Sequence, residues 1–141
     1  MDSSIGIIIV AHGNYGPTML KVAESILGPQ NDCVAIMVET AHEPEETIRR
    51  LEGAAQRLDQ GNGVLALTDM FGGTPTNLAL SLLGQHKAEV VTGVNLPMLL
   101  KVFENRDKTS LPELAQMAGE AGKAGIVVTG NMLKNKKANR I

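Results

Sequence analysis

A chain of 141 residues fits one domain and, at that size, buries roughly two-thirds of its unfolded surface, enough for a real core. A net charge of −2, with one Tyr, two Phe and no Trp, provides neither a basic face for a phosphate backbone nor aromatic platforms for unpaired bases, so nucleic acid is excluded as a partner. The lone cysteine Cys33 cannot close an internal disulfide, Met1-Asp2-Ser3-Ser4 holds no basic leader, and no apolar run nears the roughly 18 residues of a membrane span, so the expected location is cytoplasmic.

Short β-branched runs alternate with helical patterns, the signature of βαβ units and a mainly parallel sheet. The first strand is expected over residues 5–11. Pro17 suits the first position of a helix whose stripe is Met19, Leu20, Ala23 and Leu27, and Gly28-Pro29 stops it. A second strand follows over residues 33–38. From Pro44 a helix turns Ile48, Leu51, Ala55 and Leu58 inward and leaves Glu45, Glu46, Arg49 and Arg50 in water. After the turn at residues 59–63, a third strand over residues 64–69 leads through Gly72-Gly73 into a helix with Thr74 as N-cap and Pro75 at its first position, ending near Gly84. A fourth strand covers residues 89–92. Pro97 opens a helix to about Glu104, Ser110 and Glu113 form a capping box for a helix ending near Gly122, and residues 126–129 read as a last strand. Residues 131–141, with Lys134, Lys136, Lys137 and Arg140, read as a basic solvated tail after a single domain over residues 1–130.

Two strand ends carry the chemistry. The apolar run of residues 5–11 delivers His12 to a break at Gly13, and residues 64–68 deliver Asp69 to the turn Met70-Phe71-Gly72-Gly73-Thr74-Pro75. Ligands of open α/β sheets bind beyond the carboxyl ends of strands, where strand order reverses, so an imidazole and a carboxylate are expected in one crevice. If Asp69 accepts a hydrogen bond from one ring nitrogen, it fixes the tautomer and leaves the other as a nucleophile. The two glycines admit a ligand close to the backbone, and the helix start with the Thr74 hydroxyl offers donors to an anion such as a phosphoryl group. The duller readings are a tight turn with a helix cap, and a histidine that only satisfies a strand end.

Other chemistries find no footing. The chain has no G-x-x-x-x-G-K-[ST] nucleotide loop and no G-x-S-x-G elbow, and His12, His42 and His86 lack metal-ligand spacing, so no metal site and no cofactor are expected. His42 reads as a solvated neighbour of the second helix, and His86 as part of a surface turn. Asn95-Leu96-Pro97 either borders the crevice or merely starts a helix.

On these residues the chain resembles the A component (enzyme IIA) of the mannose family of the phosphoenolpyruvate-dependent sugar phosphotransferase system. The likeness runs through residues 7–13, 63–77 and 93–99, three ordered motifs at matching separations, and departs at Phe71, where many relatives carry Trp. It implies that His12 is phosphorylated, that Asp69 orients it, and that Gly72, Gly73 and Thr74 hold the phosphoryl oxygens. It further implies a phosphotransferase that takes phosphate from the phosphocarrier protein HPr and passes it to a IIB component on a separate chain, with any membrane association peripheral, at a permease. The fold expected is α/β, a three-layer, flavodoxin-like, mainly parallel sheet of order 2-1-3-4 with helices on both faces. A fifth, antiparallel strand at residues 126–129 would be exchanged between subunits of a homodimer. Two other readings remain: a stand-alone regulatory phosphohistidine module, and a phosphoryl-anion or nucleotide-binding domain without covalent chemistry.

Overall fold

The computed structural model describes residues 4–39 and 43–138. Its elements are β1 (Gly6–His12), α1 (Tyr15–Leu27), β2 (Cys33–Val38), α2 (Pro44–Leu58), β3 (Val64–Thr68), α3 (Thr74–Ala79) continuing as a 3-10 turn at Leu80–Leu82, β4 (Ala88–Thr92), α4 (Leu96–Asn105), α5 (Leu111–Ala124) and α6 (Thr129–Ala138). The four strands form one sheet in the order β2-β1-β3-β4, with all three pairings parallel. The expected order 2-1-3-4 and the helix-covered faces are therefore present.

Strand periodicity divides the core in two. On one face Ile5, Ile7, Ile9, Leu65 and Leu67 pack with Ala23 of α1, Met98, Leu99 and Val102 of α4, and Leu114 and Ala118 of α5. On the other, Ile8, Val10, Ile36, Val38, Val64 and Ala66 pack with Leu51, Ala54, Ala55 and Leu58 of α2, then Ala79 and Leu82. Both faces are covered, which is why the central strands read as near-continuous apolar runs rather than alternating ones. Every residue of β3 and all of β1 except His12 is buried.

Several boundaries differ from the sequence reading. Helix α1 begins at Tyr15, so Pro17 is its third residue, where a missing N–H costs nothing because that donor has no intrahelical partner. Gly73, not Thr74, caps α3, which moves Thr74 into the first helical position and Pro75 into the second. Asn95 and Ser110 cap α4 and α5, their side chains accepting from the N–H groups of Met98 and Glu113.

The single chain holds no fifth strand among its described residues. Ile126 donates its N–H to Lys123 O, Val128 O accepts from Asn131 and Met132, and Thr129 opens α6. Four residues after α5 allow no helical crossover to a parallel position, and although β4 is an edge strand the segment does not pair with it, so Ile126, Val127 and Val128 stay 74%, 51% and 66% exposed. The segment expected as a basic tail is helical as far as Ala138 and carries Lys134 and Lys136 on an exposed surface. His42, the N-terminal Met1-Asp2-Ser3 and Arg140 lie outside the described residues.

Candidate active site

Connections from β1 run outward to β2 and those from β3 outward to β4, so strand order reverses between β1 and β3. His12 is the last residue of β1, in register with Val38 of β2, and Asp69 follows the end of β3 directly. The ladder between β1 and β3 closes on Val10 and Thr68, so the two chains emerge side by side. Gly13 then turns the backbone away at φ +50°, donating its N–H to Val38 O, and the imidazole stands half exposed at the strand's end.

Asp69 grips His12 twice through one oxygen. Its Oδ2 accepts from the His12 backbone N–H at 3.0 Å and meets His12 Nδ1 at 2.6 Å, while Oδ1 accepts from Met70 N–H at 3.0 Å. Because the carboxylate only accepts, the proton sits on Nδ1 and Nε2 keeps its lone pair, an assignment made from the hydrogen-bond network. Partial burial pushes the Asp69 carboxyl up, but the hydrogen bonds from the His12 backbone and ring, with the charge of that ring when protonated, outweigh it and hold the group below the ordinary carboxylate range.

The turn between Asp69 and α3 is stapled from beneath. Thr76, 1% exposed, donates its one hydroxyl proton to Met70 O at 2.6 Å, so the 2.6 Å contact between Thr76 Oγ1 and Thr68 Oγ1 requires Thr68 as the donor. Gly72 adopts φ +82°, and a Cβ at Gly73 would lie 3.3 Å from His12 Cε1. The turn backbone is thus laid against the imidazole, and a side chain at residue 73 would crowd the ring. Among the described residues nothing takes up the N–H groups of Gly72, Gly73 and Thr74. Helix α3 has six residues before it tightens, so these local N–H groups, rather than a long helix dipole, are what an anion would meet.

A cavity of about 320 Å³ opens beside the ring, lined by His12, Val38, Glu39, Pro44, Thr47, Thr74 and Leu78. The sequence reading found His12 and Thr74 but none of the other walls. Asp69, on the Nδ1 side, is not one of them. Met70 and Phe71, in the turn that follows Asp69, present apolar surface, Phe71 being 83% exposed. Asn95 caps α4 and donates to Gly122 O, so its side chain ties α4 to α5 rather than facing the crevice. Among the described residues, no group of three or more His, Cys, Asp or Glu could hold a metal ion, and no helix is long and apolar enough to cross a membrane.

The family model described as "PTS system fructose IIA component" matches residues 6–118, a range that includes His12, Asp69 and the Gly-Gly-Thr turn. The chain belongs to this phosphotransferase-system EIIA family. The fructose-specific EIIA component of Bacillus subtilis is 30% identical over 111 residues, covering 78% of this chain and 76% of that protein. The mannose-specific EIIAB component of Escherichia coli K12 is 35% identical over 125 residues, 87% of this chain but 39% of that protein, so the chain spans about two-fifths of the EIIAB relatives it matches. The crystal structure of EIIA from Streptococcus agalactiae superposes with a TM-score of 0.83 at 30% identity, covering 90% of this chain and 98% of that one. EIIA proteins are components of phosphotransferase machinery, and the segment Ile126 to Ala138 lies beyond the matched range.

Proposed function

We propose that this EIIA chain is a phosphoryl relay in which His12 accepts phosphate from the phosphocarrier protein HPr and passes it to a IIB component. The observation that carries the reading is the Asp69 contact with Nδ1, which leaves Nε2 as the free nucleophile. The Nε2 lone pair attacks the phosphorus of the donor's phosphohistidine. The new N–P bond forms as the old one breaks, and the donor nitrogen departs with that electron pair. No proton has to move at His12: Nδ1 keeps its hydrogen, and the positive charge the ring acquires lies against the Asp69 carboxylate. Gly72, Gly73 and Thr74 would supply N–H groups, and Thr74 a hydroxyl, to the phosphoryl oxygens. The natural setting of such a relay is the cytoplasm.

Assembly belongs to the same proposal. Ile126, Val127 and Val128 form an exposed β-branched run that one chain leaves unpaired, and exchange of such a segment between two copies gives a homodimer at little cost.

The test is incubation with phosphoenolpyruvate, enzyme I and HPr, followed by mass measurement of the intact chain and addition of a IIB component as its own polypeptide. Gain of one acid-labile, base-stable phosphoryl group, lost in His12→Ala and discharged by IIB, is the expected result. Phosphate that is accepted but never discharged would favour the regulatory reading, and equal uptake by His12→Ala would end the proposal.

A further inference from the structure

Thr47 sits in the first turn of α2 at 2% exposure and lines the cavity beside His12. Its hydroxyl has no hydrogen-bond partner among the described residues. A helical threonine usually solves this by donating to the carbonyl one turn back. At Thr47 that carbonyl, Glu43 O, instead receives the backbone N–H groups of Glu46 and Thr47. The neighbouring walls Val38, Pro44 and Leu78 offer the side chain nothing polar. The side chain is buried among protein atoms while its hydroxyl has no protein partner among the described residues, which leaves that group free to bond to whatever enters the cavity.

What enters is set by what shares the cavity. Nδ1 of His12 is held by Asp69, which lies outside the cavity, whereas the ring itself and Thr74 line it. A group carried on Nε2 therefore enters this space, with the 72–74 turn on one side and α2 on the other. We propose that the Thr47 hydroxyl donates a hydrogen bond to an oxygen of the phosphoryl group on His12, facing the backbone donors of the turn. The inference rests on the relay reading above. It adds a donor from a second element, so the phosphoryl group is held from both walls by neutral groups. Among the described residues, Glu39, whose side chain is exposed, is the one carboxylate lining the cavity, and no lysine or arginine lines it.

Thr47→Val keeps the shape and removes the hydroxyl, and Thr47→Ser keeps the hydroxyl. With HPr as donor, Thr47→Val should lower kcat for phosphoryl transfer about tenfold, the scale of a hydrogen bond to a charged group. KM for HPr should be unchanged, because a residue this buried cannot touch the docking protein. The equilibrium between phospho-HPr and the phosphorylated chain should shift toward HPr by a similar factor, and Thr47→Ser should restore both to within about twofold. If Thr47→Val folds poorly, the pair Thr47→Ala and Thr47→Ser makes the same comparison at smaller volume. Transfer and equilibrium in Thr47→Val equal to wild type, or Thr47→Ser as impaired as Thr47→Val, would overturn the inference while the relay stands. Failure of the wild-type chain to take phosphate on His12 would overturn both.

Discussion

Asp69→Asn is the most demanding perturbation of this site, because the amide cannot satisfy all three contacts that the carboxylate makes. With its oxygen in the Oδ2 position, asparagine still accepts from the His12 N–H and from Nδ1–H, but its NH2 then faces the Met70 N–H, donor against donor. Rotated the other way it relieves Met70 but presents NH2 to Nδ1, which forces the proton onto Nε2 and removes the nucleophile's lone pair. Either way the negative charge is gone when the ring becomes positive. Two unit charges about 4 Å apart interact by about 4 kcal/mol at an effective dielectric constant near 20. The imidazole is 51% exposed and the Asp69 side chain 13%, and the ring charge is spread over two nitrogens, so solvent screening leaves about half of that, on the order of 2 kcal/mol or thirtyfold in rate. Rapid-quench transfer from phospho-HPr should show this loss, and nitrogen-15 spectra of the ring should report the tautomer. A variant that transfers at the wild-type rate would refute both the tautomer argument and the charge argument.

Three further outcomes follow from particular contacts. In Gly73→Ala the added carbon would lie 3.1 Å from Met70 Cγ and 3.3 Å from His12 Cε1, while φ of −82° tolerates alanine, so transfer should fall about tenfold with stability changed by less than about 1 kcal/mol in urea unfolding. Asp69 is held below its ordinary value, so its contribution to stability is complete above the unfolded pKa near 4 and is lost as pH falls through the folded value. The stability gap between wild type and Asp69→Asn should accordingly narrow on going from pH 6 to below about pH 4, and a constant gap would contradict the stated cause. Truncation after Gly125 removes the unpaired run Ile126, Val127 and Val128 and should give monomers or insoluble protein by light scattering, whereas a truncated chain that remains a stable dimer refutes strand exchange.

The sheet was legible because its signal is local. Runs such as Ile7-Ile8-Ile9-Val10 and Leu65-Ala66-Leu67 are buried on both faces, and burial on both faces leaves a continuous apolar run in the sequence. His12 and Asp69 could be found for the same reason, since each stands where such a run meets a glycine turn. What escaped depends on contacts between distant residues. Helix α1 starts at Tyr15, whose hydroxyl donates to Val94 O at 2.8 Å across 79 residues, and nothing near Pro17 announces that. Thr47, not Ile48, is the residue that α2 buries in its first turn, because the helix faces a crevice as well as a core and hydrophobic spacing gives threonine no weight. The hydrogen-bonded hydroxyls of Thr68 and Thr76, with the Met70 carbonyl that accepts from Thr76, bring together residues on opposite sides of a turn. Residues 126–129 have strand composition, but among the described residues of one chain they pair with no strand, and Thr129 already opens α6.

A relay of the proposed kind has to bind phosphate well enough to take it and weakly enough to give it away, and the placement of charge in this fold suits that requirement. The cavity beside His12 is walled, among the described residues, by hydroxyls, apolar side chains and one exposed carboxylate, with no lysine or arginine. Arg106, 6% exposed, is committed elsewhere, where it donates to the carbonyls of Asn31 and Asp32 and to Gln30 Oε1, just before β2 begins. That is the amino end of the sheet, opposite the crevice. Cys33 is at the same end, and burial pushes its thiol up to about 12, so that thiol is neutral and remote from His12. A bidentate guanidinium on the phosphoryl group would deepen the bound state and slow its release, since such pairs are the strong ones among charge-assisted hydrogen bonds. In the proposed relay, backbone N–H groups and hydroxyls would instead share the dianion among weaker contacts, while the Asp69 carboxylate would act on the ring rather than on the phosphate. Phosphorylation by the proposed route would make the ring positive and that carboxylate would stabilise it; release would return the ring to neutrality and the stabilisation would lapse. The phosphoryl group would thereby gain and lose its chief electrostatic support through the imidazole, which is the property a reversible relay requires.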